Sequence, residues 1–241
     1  MTRKIFLSLT IATLIFSLNI KEAKAQDSQK FEVGGQFSLL RVSSLSGTTT
    51  SIQCVAVPCS LPPTFTRNRR TEPGFGGRLG YNISRRITLE AEGNLFPRDR
   101  GFEGGRKSQG LFGVKAGQHF EKVGLFAKAR PGFMRFSSGD LRPRSDTICP
   151  AIFPPPVGCF EATARTFFAV DVGGVVEVYP SKRTIVRFDA GDTIVKLGER
   201  NVVAVVSPPP GVLAPTRLVV VRAPSETTHN LQGSVGVGFR F

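Results

Sequence analysis

After its N-terminal region the sequence lacks any run apolar and long enough to cross a membrane as a helix, which takes about 20 consecutive apolar residues. A helical integral membrane protein is thereby excluded. GxSxG is also missing, and with it the strand-to-helix turn that presents a nucleophilic serine. Gly104-Gly105 and Gly173-Gly174 have no lysine at P-loop spacing, so neither reads as a phosphate loop. Cys54 and Cys59 are followed neither by a second CxxC nor by histidines at zinc-ligand spacing. No metal site, no cofactor and no enzymatic activity are therefore expected.

What is present begins with an N-terminal export pattern. Arg3 and Lys4 precede an apolar run from Ile5 to Leu18, and Ala23-Lys24-Ala25 places small residues where a signal peptidase reads them. Residues 1–25 are expected to be a signal peptide, with residues 26–241 the mature domain. The chain carries a net charge of +14. Such a balance often marks nucleic-acid binding, but an exported chain rarely meets nucleic acid, and an anionic membrane surface fits better. An exported chain can also form disulfides. Cys54, Cys59, Cys149 and Cys159 allow three pairings, and the local one, 54–59 with 149–159, is the expected one.

The rest of the chain alternates with a period of two, the signature of strands with one apolar face. The clearest case is the C-terminal segment, where Leu231, Val235, Val237, Phe239 and Phe241 oppose Asn230, Gln232, Ser234 and Arg240. The same pattern recurs in Phe31–Leu39, Phe75–Ile83, Ile87–Leu95, Phe112–Phe120, Leu125–Phe133, Phe168–Val178 and Val186–Ile194, giving eight strands. Residues 84–86, 121–122 and 180–183 make short turns. The other connections, at about 43–71, 98–107, 137–164 and 197–229, are long and carry the proline clusters and all four cysteines. Within the last of them, Val202–Val206 and Leu218–Val221 could pair as a hairpin above the membrane, extending the last two strands. Short turns at one end and long loops at the other are the rhythm of an outer-membrane barrel. The expected fold is an all-β, eight-stranded antiparallel up-and-down transmembrane β-barrel.

The polar face decides between a soluble and a membrane barrel. It holds six acids, Glu32, Glu90, Glu92, Asp171, Glu177 and Asp189, and six bases, Arg78, Lys115, Lys128, Arg130, Arg187 and Arg240. Balance matters only where charges are confined, because an unpaired buried charge costs several kcal/mol or more. The ionic face is therefore expected inside and the Phe, Val and Leu face outside, against lipid. Some residues fit poorly. Gln118 and Asp192 point outward, Phe167 and Val175 inward, and Pro131 removes a ladder hydrogen bond, for which a bulge is expected.

The export signal, the eight alternating strands, the loop rhythm and the terminal Gly238-Phe239-Arg240-Phe241 resemble the small outer-membrane β-barrels of OmpA/OmpX type. The resemblance implies a bacterial outer-membrane location and reading of the C-terminal aromatic strand, Phe239 and Phe241, by the barrel-assembly machinery. An eight-stranded barrel is just wide enough for side chains to fill, so a plugged interior and a structural or surface-interaction role are expected. Basic residues in and beside the loops (Arg67, Arg69, Arg70, Arg98, Arg100, Arg106, Lys107, Arg142, Arg144 and Arg165) would meet outer-membrane lipid and lipopolysaccharide phosphates. The alternatives are a rim enzyme built on His229, Asp192 and nearby Ser225, or a narrow channel. His119 reads as an interior or interfacial residue, paired at best with Glu121.

Overall fold

The computed structural model describes residues 30–54, 57–60, 64–99, 104–146, 148–149, 156–207 and 217–241, without the side chains of 44–54, 57–60, 206–207 and 217. The expected signal peptide lies outside the described residues. Eleven strands follow in order: β1 (Phe31–Cys54), β2 (Val57–Ser60), β3 (Thr64–Asn82), β4 (Ile87–Phe96), β5 (Lys107–His119), β6 (Val123–Pro143), β7 (Phe160–Val178), β8 (Thr184–Leu197), β9 (Arg200–Ser207), β10 (Arg217–Ala223) and β11 (Glu226–Arg240).

Eight of them, β1, β3 to β8 and β11, form an antiparallel ring. β1 closes it by pairing with β3 on one side (Phe37↔Phe75) and β11 on the other (Phe37↔Val235). At the seam Phe31 and Phe241 exchange two backbone hydrogen bonds of 2.9 Å. A row of hydrogen-bonded neighbours leads from Gly35 through Gly77, Gly93 and Gly110 to Phe133. Continued round the wall, it returns to β1 about ten residues higher, the stagger of a strongly tilted barrel. Such a tight wall leaves no room at some inward positions. A Cβ on Gly173 would lie 2.1 Å from the Ala190 carbonyl oxygen. Gly104 and Gly105 have φ of 91° and 65°, so that pair serves a turn.

The faces separate by strand parity. Phe31, Phe37, Phe75, Leu79, Phe112, Phe133, Phe168, Phe188, Leu231, Val235 and Phe239 point outward and are exposed, whereas Glu90, Lys115, Arg130, Asp171 and Arg187 point inward and are buried. A wall apolar outside and ionic inside inverts a soluble barrel and suits a lipid surround.

The structure corrects several expectations. The connection placed at 43–71 is mostly strand, because β1 and β3 stay paired as far as Thr48↔Thr64. Pro131 causes no bulge. The β5–β6 ladder is interrupted between Leu111 and Val114 and resumes in the same register, while the irregularity falls between Phe136 and Asp140 of β6. The hairpin expected within 197–229 does form, as β9–β10 with Val205↔Leu218. It continues the register of the β8–β11 pair, from Leu197↔Glu226 to Arg200↔Ala223 across a two-residue break, and β9 in addition runs parallel to the upper part of β1.

The face assignment predicts that Val235→Arg, which sets a cation in lipid near mid-wall, destabilises the barrel by about 2–4 kcal/mol in denaturant titrations in liposomes. The folded protein should also change electrophoretic mobility on boiling. A loss below about 1 kcal/mol, or identical mobility before and after heating, contradicts the assignment.

Candidate functional site

The side chains with chemistry fall in three zones. The first is the lumen. Of the twelve inward charges read from the sequence, eleven are buried, and Arg240, at the β11 end, keeps 18% of its side chain exposed. Arg130 is the hub. Its Nε and Nη2 donate to Asp171 Oδ2 at 3.0 and 2.6 Å, and its Nη1 donates to Glu92 Oε2 at 2.5 Å. Arg187 bonds both oxygens of Glu90 and reaches Asp189 at 2.8 Å. Lys115 donates to Glu177 at 2.6 Å, and Lys128 bridges Asp171 and Asp189. These residues come from β4 to β8, so sequence spacing gives no hint of who pairs with whom. Arg78 differs. Among the described residues its Nη2 has no hydrogen-bond partner, and the side chain lies along Gly34 and Gly238.

Toward the loop end the filling changes character. Asn94 links Gln36, Glu92 and Gln109, while Gln109 and Thr193 both reach Gln232, forming a neutral amide and hydroxyl layer. Next comes an apolar cluster of Leu40, Val42, Phe96, Met134, Phe136, Phe167, Ala169, Val195 and Leu197. Phe167, a misfit in the sequence reading, belongs to this layer, and Val175 is likewise buried inside. Lys107 is not a loop cation as expected. It lies buried beside this cluster with its Nζ 3.1 Å from Glu72. Neither the Lys107–Glu72 pair nor the apolar layer was foreseen. The only sequence signal was the change from ionic to apolar inward residues near the loop end of each strand.

The second zone is the opposite mouth. The half-buried His119 ring, read from the sequence as interior or interfacial, packs against Phe126 (4.9 Å, edge-on) and Tyr179 (5.2 Å). The Tyr179 hydroxyl donates to Glu177 at 2.8 Å, and Arg240 covers its ring at 4.6 Å. Burial, with the Glu177 carboxylate beside it, holds the Tyr179 phenol well above its ordinary value, so it remains a donor.

The third zone is the loop-end superstructure. Cys149 and Cys159 are disulfide-bonded, with Cα atoms 5.7 Å apart. The side chains of Cys54 and Cys59 lie outside the described residues, and the 54–59 pairing with them. Asp140 on β6 accepts from the Leu141 and Asn201 amides and from Arg165, tying the β9–β10 hairpin to β6 and β7. Several of the loop bases are engaged. Arg67 and Arg200 share Glu226, Arg106 meets Asp99 and Arg144 meets Asp146. Arg69, Arg70, Arg98 and Arg142 are exposed, and Arg100 lies outside the described residues. Just outside the wall His229 Nδ1 lies 2.6 Å from Asp192 Oδ2, the approach expected from sequence. Phe239 and Phe241 are exposed at the far end, Phe241 stacked on Phe31 at 6.1 Å. No group of three or more potential metal ligands occurs among the described residues.

The network predicts that Arg130→Met, which strips the shared cation from Asp171 and Glu92, destabilises the barrel by about 3–5 kcal/mol in denaturant titrations. Arg130→Met with Glu92→Leu should recover part of that loss. A single variant as stable as the parent contradicts the pairing.

No protein-family model matches this chain, and no curated protein matches it. Among solved structures it is similar to Neisserial surface protein A (13% identity, TM-score 0.41, covering 90% of this chain and 100% of that one). It is also similar to Ail, the attachment invasion locus protein of Yersinia pestis (15%, 0.38, 88% and 99%). A third is the outer membrane protein OprG of Pseudomonas aeruginosa (8%, 0.41, 91% and 99%). The barrel assignment for this chain rests on its own closed ladder.

Proposed function

We propose that this protein is a bacterial outer-membrane barrel with a closed lumen, whose work is structural: it anchors a braced, disulfide-bearing platform at the cell surface for interaction with other molecules. The observation that carries this is the layered filling of the lumen. Ion pairs occupy its lower part, amides and hydroxyls the middle, and the apolar cluster around Leu40, Met134 and Phe167 the loop end. A hydrated ion would have to break buried pairs and then cross an apolar layer whose neighbouring carboxylate, Glu72, is held by Lys107. Closure of this kind supports neither a general pore nor a carrier.

The platform is braced by Asp140, by the β1–β9 pairing and by a bridge between Pro156 and Val219. Rigid presentation of loops suits binding, because less conformational freedom is lost on contact. Its partners are outer-leaflet lipid and lipopolysaccharide around the wall, and a surface ligand above it. During assembly, Phe239 and Phe241 on β11 serve as the signal read by the barrel-assembly machinery.

The His229–Asp192 contact favours a second reading, a hydrolase at the rim. A His–carboxylate pair can activate a hydroxyl or a water. It faces out of the wall, away from any enclosed site, and the non-enzymatic role is the one proposed.

Planar-bilayer recording tests the closed lumen. The folded protein is expected to give no stable open level, and a large, stable conductance overturns the proposal. Loss of a hydrolytic activity in His229→Ala, with the mobility shift on boiling retained, establishes the rim enzyme instead.

A further inference from the structure

Counting residues from the luminal apolar cluster fixes the height of their outward neighbours. Arg41 lies between Leu40 and Val42 on β1, and Lys196 between Val195 and Leu197 on β8, with all four flanking residues inside the cluster. Alternation therefore turns Arg41 and Lys196 outward at that level, and both are exposed. Arg69, opposite Ser43 on β3, stands on the same outward face slightly higher and is also exposed. On β11, His229 lies outward between buried Thr228 and Asn230 and is already held by Asp192. Because β8, β11, β1 and β3 are consecutive in the ring, these side chains form one patch about 15 Å wide at ordinary strand spacing.

Two features make the patch more than solvated surface. Arg41, Arg69 and Lys196 have no carboxylate within ion-pair distance among the described residues, unlike Arg67, Arg106, Arg144 and Arg165, which do. Asp192, an acid on the same face, is held in a 2.6 Å contact with the His229 ring. The surface below is apolar, with Leu39 under Arg41 and Leu231 under His229, and, on β3, Pro73 and Phe75 four and six residues below Arg69. Free cations above and hydrocarbon-facing side chains below form an amphipathic wall at the headgroup boundary.

We propose that this β8–β11–β1–β3 patch binds one phosphate-bearing lipid of the outer leaflet, of the diphosphorylated lipid A class. Its phosphates lie on Arg41, Arg69 and Lys196 and its acyl chains on Leu39, Leu231 and Phe75. The guanidinium groups give forked, charge-assisted bonds to phosphate oxygens, and the lysine adds a point charge. The proposal rests on the outer-membrane reading above, and it moves the lipid contact from the loops to the strands. Arg135 is an internal control. It sits between Met134 and Phe136 at the same height and is equally exposed, but on β6, across the ring.

Native mass spectrometry of the detergent-solubilised, folded protein titrated with diphosphoryl lipid A tests this. The parent should retain one lipid, and the triple variant Arg41→Gln, Arg69→Gln, Lys196→Gln should bind about tenfold more weakly. Arg135→Gln should bind like the parent. Dephosphorylated lipid A should bind the parent no better than the triple variant does, and inorganic phosphate should neither bind nor displace the lipid. Equal binding by the triple variant, an equal loss in Arg135→Gln, indifference to the phosphates, or displacement by inorganic phosphate overturns the assignment. If the triple variant fails to fold, Arg41→Gln and Lys196→Gln are read singly, each expected to lose about twofold. The mobility shift on boiling reports the barrel and conductance reports the lumen, so failure of either is separable from failure of the patch.

Discussion

Inside a hydrocarbon layer an unpaired backbone amide or carbonyl costs several kcal/mol, so a strand can lie there only if both of its edges are bonded. Everything else in this structure follows from meeting that demand with a ring. β1 must find partners on both sides, β3 and β11, and the Phe31–Phe241 exchange completes the seam. Closing eight strands with this stagger leaves an interior only side chains can fill. Closure of the backbone thus sets the terms for the lumen.

In a lumen that narrow, charge has no water to fall back on. Arg130, Arg187, Lys115 and Lys128 each contact more than one carboxylate, and most of those carboxylates contact more than one cation. Such sharing suits confined ions, since removing one partner strands several. The network stops where the wall approaches the loop end. There the inward positions turn first to amides and then to Leu40, Phe96, Met134 and Phe167. The outward face changes at the same height in the opposite sense, from Leu39 and Leu231 to Arg41 and His229. Inside and outside exchange polarity at one level because the wall leaves the hydrocarbon there while its interior remains enclosed.

Above that level the chain keeps its hydrogen bonds by other means. β1 and β3 run on together, β9 adds to β1 in parallel, and Asp140 gathers the Asn201 amide and Arg165. Many of the basic residues that the sequence offers as free loop charges are used here in ion pairs. Arg41, Arg69 and Lys196, which have no such partner among the described residues, are on strands.

The sequence by itself determined which face of each strand is which, because a period of two is local and needs no knowledge of neighbours. From it followed the ionic residues of one face, the apolar residues of the other, the eight-strand count and even the inward placement of Phe167 and Val175. It also brought Val202–Val206 to Leu218–Val221, and His229 near Asp192, since both pairs span adjacent segments. Only the tertiary structure decided the rest. The partners of Arg130 lie on β4, β7 and β8, and the stagger of the ring selects them over others of equal charge. Lys107 read as a loop cation because its partner, Glu72, is 35 residues away. The height of Arg41 outside the apolar layer appears only when the strands are stacked in register. Strand faces are set by the alternation of one chain, whereas pairing across a lumen is set by the shear of eight strands, a property that no single strand carries.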